Sequence, residues 1–175
     1  MRSIKDFTTK SGEKAHIKVA SIEDLASMHK WINEMSKENT FITFSGEEIT
    51  LDEEREYLED LVEKINNHKS LSLVCYVGDE FAGKCDVEIK THLRKRSAHV
   101  ARFGFSIAKE FRGGGIGYNL SKYTIELVKE YLPDVKIIEL ECFSSNLPAL
   151  NLYKKLGFKE IGRIPGAIKY KDEFI

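Results

Sequence analysis

The chain has 175 residues, with 27 Lys and Arg against 28 Asp and Glu and a formal charge of −1. That length suits one domain with a substantial core, and the balanced charge gives no field that would gather nucleic acid. No apolar run is long enough to cross a bilayer, and the polar start, "MRSIKDFTTKSGEK", lacks the apolar centre of a signal peptide, so a cytoplasmic protein that meets no membrane is expected. The three cysteines, Cys75, Cys85 and Cys142, are an odd number without metal-site spacing. They lie in apolar, strand-like stretches, which favours buried thiols over a disulfide or a metal centre.

In chain order, residues 1–14 read as an N-terminal extension or an extra strand, and "AHIKVA" reads as a short strand. Ser21, with Asp24 three positions on, forms a capping box before a helix whose apolar stripe is Leu25, Met28, Ile32 and Met35. "FITFSGEE" is loop-like, and Thr50 with Glu53 opens a second helix facing inward through Leu58, Leu61, Val62 and Ile65. "LSLVCYV" and "EFAGKCDVEI" flank Gly78 and Asp79 and predict a hairpin. A basic connection, "THLRKRS", leads to a fourth strand, "AHVARFGFSIA". After a run of glycines, Leu120, Tyr123, Thr124, Leu127, Val128, Tyr131 and Leu132 recur at helical spacing up to Pro133. "VKIIELECF" alternates like a strand, with Glu139, Glu141 and Phe143 opposite Ile138, Leu140 and Cys142. Asn146 is the expected N-cap of a short helix that ends at Gly157, and "FKEIGRIPGAIKY" is expected to be further strand. This order predicts a mixed α/β (α+β) fold in one domain, residues 1–175, with helices flanking a central sheet.

The glycines of "FRGGGIG" follow a strand and open a helix. They do not form a P-loop, because Tyr118 and Asn119 stand where Lys and Ser or Thr are required. A dinucleotide fingerprint fails as well, since its third glycine is absent and the loop does not follow the first strand. What remains is an arginine, glycines without Cβ and the positive end of a helix dipole, an arrangement suited to a pyrophosphate.

Arg112-x-x-Gly115-x-Gly117, followed a helix and a strand later by "SNLPALNLYKKLGF", resembles the signature of the GCN5-related N-acetyltransferase superfamily. The resemblance extends from "AHIKVA" onward and is sharpest between His99 and Phe158. It implies acetyl-CoA as acyl donor, no metal, and a fourth and fifth strand that splay apart to admit the pantetheine arm. By that resemblance Phe105, Ser106 and Ile107 contact the pantetheine through their main chain. Arg112, Gly113, Gly114, Gly115, Ile116, Gly117 and Tyr118 hold the pyrophosphate, and Asn146, Ala149 and Tyr153 line the arm.

Acetyl transfer by direct attack of a primary amine on the thioester needs the amine deprotonated, the oxyanion stabilised and the thiolate protonated. A main-chain N–H near Ile107 suits the oxyanion. The resemblance makes Tyr153 the general acid and Glu141 the base. Arg102 stands where many relatives carry a glutamate, and Glu139, His99 or a water wire are the alternatives to Glu141. Glu38, Glu47 and Glu48, between the first two helices, are candidates to attract a cationic amine, whether a small molecule, a lysine or a protein N-terminus. The competing reading is a catalytically silent CoA-binding or regulatory module of the same fold. The family resemblance also implies a homodimer.

Overall fold

The computed structural model describes residues 4–170 and 172–175. In chain order the strands and helices are β1 (Lys5–Thr8), β2 (Lys14–Val19), α1 (Leu25–Lys37), α2 (Leu51–Asn66), β3 (Ser70–Val77), β4 (Glu80–Ile89), β5 (Val100–Ile107), α3 (Ile116–Tyr131), β6 (Ile137–Glu139), α4 (Leu147–Lys155), β7 (Lys169–Tyr170) and β8 (Glu173–Phe174). The fold is the mixed α/β one expected. The chain falls into two compact units, the first ending at Leu140 and the second running Glu141–Ile175.

The first unit is built on a six-stranded sheet in the order β1-β2-β3-β4-β5-β6. Its ladders are antiparallel except for β5 with β6, which run parallel. The extra N-terminal strand is present as β1, paired to β2 from Lys5↔Ile17 to Thr8↔Lys14. Both capping boxes form as read. Asp24 accepts from the Ser21 main chain at 2.9 Å, and Glu53 and Thr50 exchange bonds at 2.8 and 3.2 Å. The Ser21 box closes a 3-10 turn, Ile22–Asp24, that leads into α1.

Adjacent residues of β4 show which helix covers which face. Lys84 meets Tyr57 of α2, whereas the Cys85 thiol lies 4.0 Å from Ser121 of α3. Helices α1 and α2 therefore cover one face and α3 the other, as strand alternation requires. Met28, Trp31, Leu58, Leu61, Val74 and Phe81 form the core on the α1/α2 side. Gly83 sets the approach of β4 to β5, because a Cβ there would lie 2.4 Å from the Ser106 carbonyl oxygen.

The fifth predicted strand is shorter than read. Ladder pairing covers Val100↔Ile137 to Arg102↔Glu139, and residues 140–143 lie outside any strand. An alternating sequence makes a strand only where a neighbour supplies hydrogen bonds, and here β5 continues to Ile107 after β6 has left it. The fourth and fifth predicted strands thus separate, as the resemblance implied. In the second unit the strand expected over 158–170 is reduced to Lys169–Tyr170, which pairs with Glu173–Phe174.

Candidate active site

Strand β5 presents its main chain to two sides in alternation. The Val100 carbonyl accepts from Lys90 N–H, and Ala108 N–H donates to the Ala82 carbonyl, both at 2.9 Å across the β4 side. By period two the main-chain groups of residues 102, 104 and 106 also face β4, and those of 103, 105 and 107 face the side that β6 lines only as far as Arg102. Of the three residues expected to contact pantetheine by main chain, Phe105 and Ile107 turn theirs to that side, and Ser106 turns its own to β4 in register with Lys84.

The glycine loop follows a 3-10 turn, Lys109–Phe111. Gly113 and Gly115 take φ of +80° and +88°, left-handed values that glycine adopts without strain, and Gly115 is the N-cap of α3. The first helical residues, Ile116, Gly117 and Tyr118, carry the N–H groups that an α-helix cannot satisfy internally. The Ile116 side chain is 1% exposed and fills the core, so only its N–H is available to a ligand.

Arg112 does something other than expected. Its guanidinium grips the Glu38 carboxylate with two bonds of 2.7 and 2.9 Å, and its Nε donates to the Ile107 carbonyl at 2.9 Å. It ties the end of β5 to the end of α1. A different cation stands at the loop. Lys10 N–H donates to the Gly114 carbonyl at 3.0 Å, and its side-chain stem lies 3.8–3.9 Å from the Cβ position of Gly115. The Thr9–Glu13 turn carrying Lys10 is braced by Thr9 Oγ1 to Ser11 Oγ at 2.8 Å and Ser11 Oγ to Glu13 at 2.7 Å. No spacing in the sequence signals Lys10, which is about a hundred residues upstream of the loop it touches.

The second unit holds the remaining candidates. Asn146 caps α4, its Oδ1 accepting from Ala149 N–H at 3.2 Å, which leaves its amide NH2 to donate outward. Pro148 in the first turn and Gly157 with φ of +93° bracket the helix as read. Phe158 N–H donates back to the Tyr153 carbonyl at 3.0 Å, and the two rings meet edge to face at 5.9 Å. This is a Schellman ending with its hydrophobic contact, and it fixes where the Tyr153 ring stands. Glu141 is exposed and lies outside any strand, while Glu139 is ion-paired with Lys90. His99 lies in the turn before β5, its carbonyl accepting from Lys136 and Ile137 N–H.

A strand end left by its neighbour thus leads through a glycine cradle into a helix start. The profile of the Acetyltransferase (GNAT) family matches residues 27–158, and the chain belongs to that family. It is 32% identical over 87 residues to an L-amino acid N-acetyltransferase of Escherichia coli (strain K12). That match spans 50% of this chain and 52% of the relative. An acetyltransferase of the family from Streptococcus pneumoniae superposes with a TM-score of 0.82 at 23% identity, covering 92% of this chain and 93% of that one. A ribosomal L7/L12 alpha-N-protein acetyltransferase, solved in complex with coenzyme A, superposes at 0.78 with 14% identity, covering 99% of this chain and 93% of that one.

Proposed function

We propose that this protein is an acetyl-CoA-dependent N-acetyltransferase whose acceptor is a primary amine, with residues 1–175 acting as one catalytic domain. The observation that carries the reading is the Gly113–Gly117 cradle at the N-terminus of α3, directly after the strand end that β6 leaves. The residues present fit coenzyme A. Two left-handed glycines keep Cβ atoms off the loop, and the orphan N–H groups of the first helical turn suit a pyrophosphate. When bound, acetyl-CoA supplies an activated thioester.

The chain's own residues do the rest. Gly113, Gly114, Gly115, Ile116, Gly117 and Tyr118 hold the pyrophosphate by main chain, with Lys10 as the nearby cation. Phe105 and Ile107 pair with the pantetheine arm, and Ile107 N–H faces the developing oxyanion. Asn146 donates its side-chain amide to the arm beside Ala149. Tyr153 delivers a proton to the departing sulfur, and Glu141 takes one from the amine directly or through water. The E. coli relative, an L-amino acid N-acetyltransferase, supports an α-amine acceptor on a free amino acid.

Titration of the protein with CoA tests the cradle. Gly115→Val places a branched side chain at a left-handed φ and against the Lys10 stem, so CoA affinity is expected to be lost. Parent affinity in a folded Gly115→Val protein would refute the assignment.

A further inference from the structure

Resting on the acetyltransferase reading, we infer that the acceptor's amine is received over Gly104 and held by the carboxylate of Asp86. Gly104 lies in the interior of β5, and its φ is not among the positive ones, so no backbone conformation demands glycine there. Glycine in a strand interior costs stability and packs nothing, and it often marks a bulge, a tight bend or a close approach by a ligand or another backbone; the β4–β5 register runs unbroken through Gly104. A Cβ built on Gly104 meets nothing within 4 Å. The missing side chain therefore leaves a gap in the sheet face covered by α1 and α2.

Asp86 is the direct cross-strand partner of Gly104. Ser72 Oγ donates to one carboxylate oxygen at 2.5 Å, and the Lys84 ammonium contacts the other at 3.0 Å. Both supports are buried, while the Asp86 side chain keeps 30% of its surface exposed. An ionised carboxylate has about four acceptor positions, so two remain after Ser72 and Lys84 are served. Tyr57 braces Lys84 from α2, and Glu54 adds a second carboxyl within electrostatic reach of that ammonium. Burial alone pushes the Lys84 ammonium down, but Asp86 and Tyr57 outweigh it and hold it charged. The result is a fixed carboxylate beside a gap of side-chain size, next to the strand whose far end β6 has left. A primary ammonium, with three donors on a compact charge, fits it. The acceptor class this fits is a compact primary amine.

The test uses CoA-loaded protein and L-alaninamide as probe, with the dissociation constant read from the shift of the Gly104 amide resonance, or by calorimetry for the Gly104 variant. Asp86→Asn is expected to weaken L-alaninamide about tenfold or more, and Gly104→Val, which fills the gap, to abolish its binding. CoA affinity should stay at the parental value in both, and Gly104→Val should not lower Tm. An L-alaninamide constant within twofold of the parent in Asp86→Asn overturns the inference, as does a parent that binds no L-alaninamide. If Tm and CoA affinity fall together with amine affinity, Asp86 supports the sheet and the inference also fails. Acetyl transfer by the parent is scored separately. Its absence counts against the acetyltransferase reading, whereas transfer with an unaltered Asp86→Asn constant sinks the inference alone.

Discussion

Tyr153 is held at the end of α4 by the turn that closes the helix and by the Phe158 ring, so its hydroxyl is displayed on a stem with little rotational freedom. Tyr153→Phe keeps that packing and removes only the proton donor. We expect kcat to fall by roughly 10²-fold, with Tm and CoA affinity unchanged, as for other positioned acids and bases. An unaltered kcat in a chemistry-limited assay would reduce Tyr153 to a packing residue. Lys10 makes a separate prediction. A charge-assisted contact to phosphate is worth about 1.5–3 kcal/mol, so Lys10→Ala should weaken CoA about tenfold or more and flatten the salt dependence of binding. Equal affinities at low salt would show that its ammonium stays in solvent. Glu54 titrates in the opposite sense to an ion-paired acid. Burial raises its carboxyl above the ordinary 4.5, so the folded state holds that proton more tightly than the unfolded state does. Glu54 therefore costs stability at neutral pH, and the cost falls away as pH drops through its folded pKa. Glu54→Gln should melt higher than the parent at pH 7 and lose that advantage below about pH 4.5; a lower Tm at pH 7 would contradict the sign.

At the scale of elements, the Arg112–Glu38 fork joins the end of α1 to the approach of the glycine loop. Arg112→Ala and Glu38→Ala should each lower stability, and the double variant should lose less than their sum, with a coupling of about 1 kcal/mol. Full additivity would mean that the fork stabilises nothing. The elements that the sequence announced most clearly were those whose signals are local. Thr50 with Glu53, Gly78 with Asp79, and Asn146 with Gly157 each act within a few residues, and each formed as read. What the sequence left unread concerns partners distant in the chain. The alternation of residues 135–143 is real, yet a ladder forms only at Ile137–Glu139, because strand length is decided by how long β5 stays alongside. Arg112 was legible as a cation beside glycines, but its pairing with a carboxylate 74 positions earlier was not. Lys10, Asp86 and Gly104 gave no motif at all. Their meaning comes from sheet register, which puts Asp86 opposite Gly104, and from a turn that lays Lys10 on Gly114.

For the whole molecule, the cysteines test how tightly the first unit is closed. Burial pushes the thiols of Cys75 and Cys85 up to about 12, whereas Cys142 is only partly buried. A native protein treated with iodoacetamide at pH 8 should be labelled at Cys142 first, with Cys75 and Cys85 reacting only after denaturation. Prompt labelling of all three would mean that the sheet opens readily. The homodimer implied by the family resemblance is checked by sedimentation, in which a species of 20.0 kDa alone at micromolar concentration would count against it. The central claim is the proposed one, that the protein transfers an acetyl group from acetyl-CoA to an amine. The most direct measurement mixes the protein with acetyl-CoA and a panel of amino acids, amino-acid amides and short peptides, following thiol release and the mass of each amine. Amine-dependent thiol release with a matching acetylated product is the expected result. Tight CoA binding without acetylation of any member of the panel would contradict the account and leave a CoA-binding module in its place.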